Sequence, residues 1–200
     1  MKNHIYTNGC SFVKGDELQS SEEAFPYLLN GQVFNEAQSG ISNQRILRTT
    51  LSTGLDWDWY IIGWTSPYRW EYYDKDWISQ NPTPPHHFKQ MNKKISNQLQ
   101  WFRDDWFYIN FINQVLTLQN YLKFHQKKFF FFLSWDNLNR KDYLEYRDLI
   151  DIQTFPSLFQ KDMDFKNYTL LHGGGLRPGG HPDKHSHKIW ADYLNRIIST

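Results

Sequence analysis

Two uninterrupted apolar runs, Tyr60-Ile61-Ile62-Gly63-Trp64 and Phe129-Phe130-Phe131-Phe132-Leu133, constrain this chain more than any other feature. Successive residues of a strand point to opposite faces, so a run without a polar residue leaves neither face for water. Each run therefore predicts a strand covered on both sides, as in a parallel sheet layered by helices. Between them, Ile95 to about Gln126 carries a helical stripe that includes Trp101, Phe107, Phe111, Ile112, Val115, Leu118 and Leu122.

The remaining segments fit the same alternation. His4–Thr7 reads as a first strand and Gln32–Ala37 as a second. Ser20-Ser21-Glu22-Glu23 offers a helix start leading into Ala24–Leu29. Gln44–Leu51 spaces Ile46, Leu47 and Leu51 as a helix. Arg140–Ile152 reads as a short helix or an irregular crossover, and Tyr168–Leu171 as a last strand. His185–Ile198 closes the chain as an amphipathic helix. The prediction is a single α/β domain over residues 1–200, a three-layer α/β/α sandwich with a mainly parallel, about five-stranded sheet. Residues 65–94, rich in aromatics and holding Pro82, Pro84, Pro85 and His86-His87, predict an irregular insertion, either a functional rim or a self-anchored excursion.

Composition narrows the function classes. Lys and Arg number 22 against 21 Asp and Glu, for a formal net charge of +1. No basic stripe is present, which argues against a nucleic-acid partner. Cys10 is the single cysteine, so no disulfide forms within the chain, in keeping with a reducing compartment. The N-terminus lacks the apolar core of a signal peptide, and Phe129–Leu133 is far too short to cross a bilayer. The expectation is a cytoplasmic protein without a membrane partner.

In such sheets the working residues lie on loops leaving the carboxyl ends of strands. Ser11, Gly40, Thr65, Asp136 and His181 all fall at such ends. Ser11, in Asn8-Gly9-Cys10-Ser11-Phe12, is placed to act as a nucleophile, and His181, after Gly179-Gly180, to act as its base. A thiolate at Cys10 would be the stronger nucleophile, but at one position before the serine it reads as a small core residue. His172, His181, His185 and His187 do not follow a zinc spacing, and no cofactor is implied. Arg45, Arg48 and Arg69 lie near the site loops. Arg69 reads either as a binder of an anionic substrate group or, like the other two, as a partner of Glu71 or Glu36. Tyr68, Arg69 and Trp70 form a candidate substrate rim.

The C-terminal block Gly180-His181-Pro182-Asp183-Lys184-His185-Ser186-His187-Lys188-Ile189-Trp190-Ala191 resembles the last block of SGNH (GDSL-type) hydrolases. Gly9-Cys10-Ser11 resembles their first block and Gln38-Ser39-Gly40 their second. Gly63-Trp64-Thr65-Ser66 stands in the place of their third block, and the ordered set Asn8-Gly9-Cys10-Ser11-Phe12, Ser39-Gly40-Ile41-Ser42-Asn43 and Ile61-Ile62-Gly63-Trp64-Thr65-Ser66 is similar to a phage-type branch of these proteins. The resemblance implies a flavodoxin-like SGNH fold. It implies Ser11 as nucleophile, His181 as general base and then acid, and the N–H groups of Ser11 and Gly40 as an oxyanion hole.

The chain departs from the family in three places. Cys10 replaces the usual Asp, the third block lacks its Asn, and Pro178 stands where the family's acid precedes its histidine. Asn43 or Thr65 is then the expected third oxyanion donor. Asp183, Asp136 or a backbone carbonyl is expected to orient His181. The implied activity is hydrolysis of an ester, such as an O-acetylated glycan or another small acyl ester. The alternative is a binding or structural protein on the same scaffold.

Overall fold

In the computed structural model, residues 2–74, 76–80, 104–135 and 145–200 are described. Four parallel strands form the central sheet: β1 (Asn3–Gly9), β2 (Gly31–Asn35), β3 (Trp59–Trp64) and β6 (Lys128–Leu133), in the order β2-β1-β3-β6. A separate antiparallel hairpin, β4 (Trp70–Asp74) and β5 (Asp76–Gln80), occupies part of the expected irregular insertion. The sheet thus has four strands among the described residues, rather than about five.

The two apolar runs behave as their composition requires. Every residue of β3 is buried, as are all but the first of β6. One face of the sheet meets α2 (Asn43–Ser52) and α3 (Asp104–Phe124). There Trp64 packs edge-on against Phe111 of α3 and Phe131 of β6. The other face meets α4 (Phe165–Leu171) and α5 (Lys184–Ile198), where Phe132 packs against Phe165 and Trp190. The alternation of Phe131 and Phe132 between layers is the period-2 geometry of a strand buried on both sides.

Two sequence expectations are corrected. Tyr168–Leu171 is not a strand but the end of helix α4. Asp164 caps that helix by accepting the Asn167 N–H at 3.0 Å. Phe165, Tyr168 and Thr169 then share one buried face, and seven residues are too few for their aromatic and β-branched content to decide the period. The outer edge of β6 is met instead by an irregular segment, with Phe131 N–H donating to Thr154 O and Leu133 N–H to Ser157 Oγ. Ala24–Leu29 is likewise not an α-helix. It is a 3₁₀ turn over Phe25–Leu28 with Pro26 in its first turn. The predicted helix start at Ile95 and residues 140–144 of the expected crossover lie outside the described residues; residues 145–152 form turns rather than an α-helix.

A gap in the sheet seats the first helix. Gly9 and Gly63 are register partners on β1 and β3, and both face Val13 of the one-turn helix α1 (Ser11–Lys14). A Cβ on Gly63 would lie 2.5 Å from Val13 Cγ2 and 2.7 Å from the Phe132 ring; one on Gly9 would also collide with Val13. Asn8 fastens the same strand end to α2, its Nδ2 within hydrogen-bond reach of Ile46 O, Thr49 Oγ1 and Thr50 Oγ1. Gly63→Ala is expected to destabilise the protein by about 1–3 kcal/mol through overpacking. Adding Val13→Ala should restore part of that loss in urea unfolding; strictly additive losses would refute the shared gap.

His187, on α5, is fully buried between the rings of Phe25 and Phe165. Its Nδ1 accepts the Phe25 N–H at 3.0 Å. Burial, with His181 acting in the same direction, lowers its pKa from 6.5 to about 3, against the opposing carboxylates of Asp183 and Glu23. As pH falls below 6.5 the unfolded chain therefore takes up this proton before the folded one does. The stability that His187 contributes is complete above pH 6.5 and is lost progressively down to about pH 3. Between pH 7.5 and pH 5, wild type should lose about 2 kcal/mol more than His187→Gln in urea titrations.

Candidate active site

Ser11 opens α1 directly beyond the end of β1 and is 6% exposed. Gly15, at φ +85°, ends that single turn, and the N–H groups of Gly15 and Asp16 both return to Ser11 O. Cys10 is fully buried and its Sγ lies 3.3 Å from Ser134 Oγ, so it packs into the core.

The loop carrying Gly40 is fastened to the Ser11 loop. Gln38 N–H donates to Gly9 O at 3.1 Å, and Ser39 Oγ bonds both Lys14 Nζ and the Asp16 carboxylate. Gly40 sits at φ +72°, a conformation that favours glycine. Among the described residues, neither the Ser11 N–H nor the Gly40 N–H is donated to a protein acceptor.

His181 lies on a short hairpin that leads into α5. Arg177-Pro178-Gly179-Gly180 makes a turn, with Gly180 N–H on Arg177 O at 2.8 Å and Pro178 at the second position. Arg177 N–H then donates to His181 O at 2.8 Å, and Leu176 bridges Pro182. The His181 ring packs edge-on against Phe12, the residue after Ser11, at 5.2 Å between centroids. Among the described residues, Ser11 Oγ and His181 share no hydrogen bond. Such contacts are often long in a ligand-free site and close with substrate.

The carboxylate beside His181 is one the sequence reading missed, Glu17. Its Oε2 lies 3.4 Å from His181 Nδ1, an ion-pair distance without the alignment of a hydrogen bond. The same oxygen accepts the Gly179 N–H at 3.2 Å, and Arg177 Nε donates to Glu17 O at 3.0 Å. A Cβ on Gly179 would collide with this carboxylate. Glu17 itself adopts φ +69°. Nothing local in the sequence marks it, because the pair joins residues from opposite ends of the chain.

Asp183 does not orient His181. It caps α5, accepting the N–H groups of Ser186 at 2.8 Å and Gly175 at 3.3 Å. Burial alone would raise its pKa, but these amides outweigh burial and hold the carboxyl below its ordinary range. Asp136 and His86-His87 lie outside the described residues. Asn43 also has a role other than the expected one. Its Nδ2 donates to Thr65 O and Ser66 O, and its Oδ1 accepts the Thr65 N–H, so both amide hydrogens are engaged in holding the loop after β3. Thr65 Oγ1 accepts from Arg69 Nη1 at 2.9 Å and keeps its own hydrogen as a donor.

The rim residues divide. Tyr68 packs on Phe107 and shares a 2.8 Å hydroxyl contact with Tyr108, while Trp70 opens β4. Arg48 pairs with Glu71 at 3.3 Å and Arg45 with Glu36 at 3.7 Å. Among the described residues, no group of three or more His, Cys, Asp or Glu side chains is arranged to hold a metal ion, and no helix is long and apolar enough to cross a membrane.

No protein-family model matches the chain, and no curated protein matches it in sequence. Among solved structures, its fold is similar to that of a protein described as lipolytic and of the G-D-S-L family, from Desulfitobacterium hafniense DCB-2. The TM-score is 0.59 at 12% identity, with 98% of this chain and 99% of that chain covered. At that identity the likeness shows the fold alone: a parallel sheet with helices packed on both faces.

Proposed function

We propose that this protein is a serine-type ester hydrolase. Ser11 Oγ attacks the ester carbonyl while His181 takes its proton, and the carbonyl oxygen becomes an oxyanion held by the N–H groups of Ser11 and Gly40. Thr65 Oγ1–H is a further donor within the same set of strand-end loops. Collapse of the intermediate breaks the ester C–O bond, and His181 returns the proton to the leaving alcohol. Water, deprotonated by His181, then releases the acid and regenerates Ser11. Glu17 sets the ring orientation and stabilises the imidazolium formed at each step.

The observation that carries this reading is the Glu17 carboxylate at 3.4 Å from His181 Nδ1, on the ring that packs against the neighbour of Ser11. A surface histidine has no need of a carboxylate held in place by a glycine N–H. The second reading, a binding protein on the same scaffold, is favoured by the missing Ser11–His181 hydrogen bond and the engaged Asn43 amide.

The two readings separate experimentally. The hydrolase should turn over short 4-nitrophenyl esters and be labelled at Ser11 by a fluorophosphonate. Ser11→Ala should abolish both, and Glu17→Gln should lower kcat about 10²–10⁴-fold with the fold intact by circular dichroism. An unlabelled protein without turnover identifies the binder.

A further inference from the structure

Arg45 and Arg48 are each paired with a glutamate, but Arg69 is not. Among the described residues no carboxylate lies within ion-pair distance of its guanidinium, although the group is held firmly. Ser66-Pro67-Tyr68-Arg69 is a turn with Pro67 at its second position, closed by Arg69 N–H on Ser66 O at 3.1 Å. Asn43 clamps the backbone of Thr65 and Ser66 from α2. The side chain is fixed at two further points: Nη1 donates to Thr65 Oγ1 at 2.9 Å, and the guanidinium carbon lies 5.0 Å from the centre of the Trp135 ring.

This cation belongs to the same face as Ser11. Gly9 and Gly63 are register partners, so Ser11 and Thr65 each lie two residues beyond one rung on neighbouring strands, which run about 5 Å apart. The wall between is continuous, since Trp135 packs against Phe12 at 5.1 Å and Phe12 against His181 at 5.2 Å. Arg69 thus stands at one end of an aromatic strip, with His181 and the Glu17 carboxylate at the other. A guanidinium has five N–H donors in a planar fork, and among the described residues only one is engaged.

We propose that Arg69 is a substrate-recognition residue that binds a carboxylate carried by the ester substrate. This inference rests on the hydrolase reading of Ser11 and His181 and supplies its substrate class. The open fork accepts two carboxylate oxygens side by side. The Glu17 carboxylate, at the far end of the strip, repels an anion and favours the orientation with the charge at Arg69.

Two matched ester pairs test the proposal, one with the charge on the acyl side and one on the alcohol side. These are mono-4-nitrophenyl succinate against 4-nitrophenyl butyrate, and 3-acetoxybenzoate against phenyl acetate. In at least one pair the carboxylate ester is expected to show the higher kcat/KM, with Arg69→Gln lowering that ratio about tenfold or more, mainly through KM. Arg69→Lys should restore part of the preference but not the bidentate fit. Calorimetry in the Ser11→Ala background reads binding alone: the preferred carboxylate ester should bind, and Arg69→Gln added to Ser11→Ala should weaken it about tenfold. That arm stands even if wild type turns over no ester, an outcome that overturns the hydrolase reading instead. The Arg69 assignment is overturned if neither carboxylate ester is preferred in turnover or in binding, or if Arg69→Gln reduces both members of a pair equally, as loss of a purely structural latch would.

Discussion

At the Gly9–Gly63 rung two adjacent parallel strands present no Cβ, and Val13 fills the space that both leave. Close packing tolerates few voids and few overlaps, so this fit fixes the depth and angle at which the chain leaves β1. The placement of Ser11 follows, because α1 is a single turn with no length to adjust. Phe12 is then carried to the strip that links His181 with Trp135, and Cys10 is turned inward against Ser134. The loops that hold the candidate chemistry are fastened to this turn by few contacts, among them Lys14 and Asp16 on Ser39, and Gln38 on Gly9.

A parallel sheet brings the exits of all its strands to one edge, so residues far apart in sequence meet without long-range guidance other than the sheet register. Here that convergence redistributes roles. The position three residues before His181 holds Pro178, which serves the turn that presents the histidine. Asp183, the nearest acid after it, is occupied as a helix cap. The carboxylate comes instead from the first loop, where Glu17 reaches across to the glycine N–H and the imidazole. Asn43 braces the β3 loop from behind and thereby holds the backbone that carries Thr65 and Arg69.

How far this was legible in the sequence depended on whether a signal was local. β3 and β6 declared themselves through apolar runs that only a doubly covered strand can bury, and α5 through its amphipathic stripe. Ser11, Gly40 and Thr65 were legible as strand-end residues once the alternation of elements was read; His181 was legible only through its Gly-His-Pro block, because the segment expected as the strand before it is helix α4. Tyr168–Leu171 misled because four residues of aromatic, β-branched and aliphatic character fit either period; the cap at Asp164, just upstream, was the overlooked signal. Glu17 was not legible at all. Its role depends on a contact across the chain, on the missing Cβ of Gly179, and on a backbone turn that no neighbouring residue announces.

That backbone turn carries a further meaning. Glu17 is held at φ +69°, where an L side chain is strained and glycine is at ease. In the hydrolase proposed above, a glutamate in that position trades conformational ease for a charge at the histidine, the kind of compromise by which working sites hold a protein below its attainable stability.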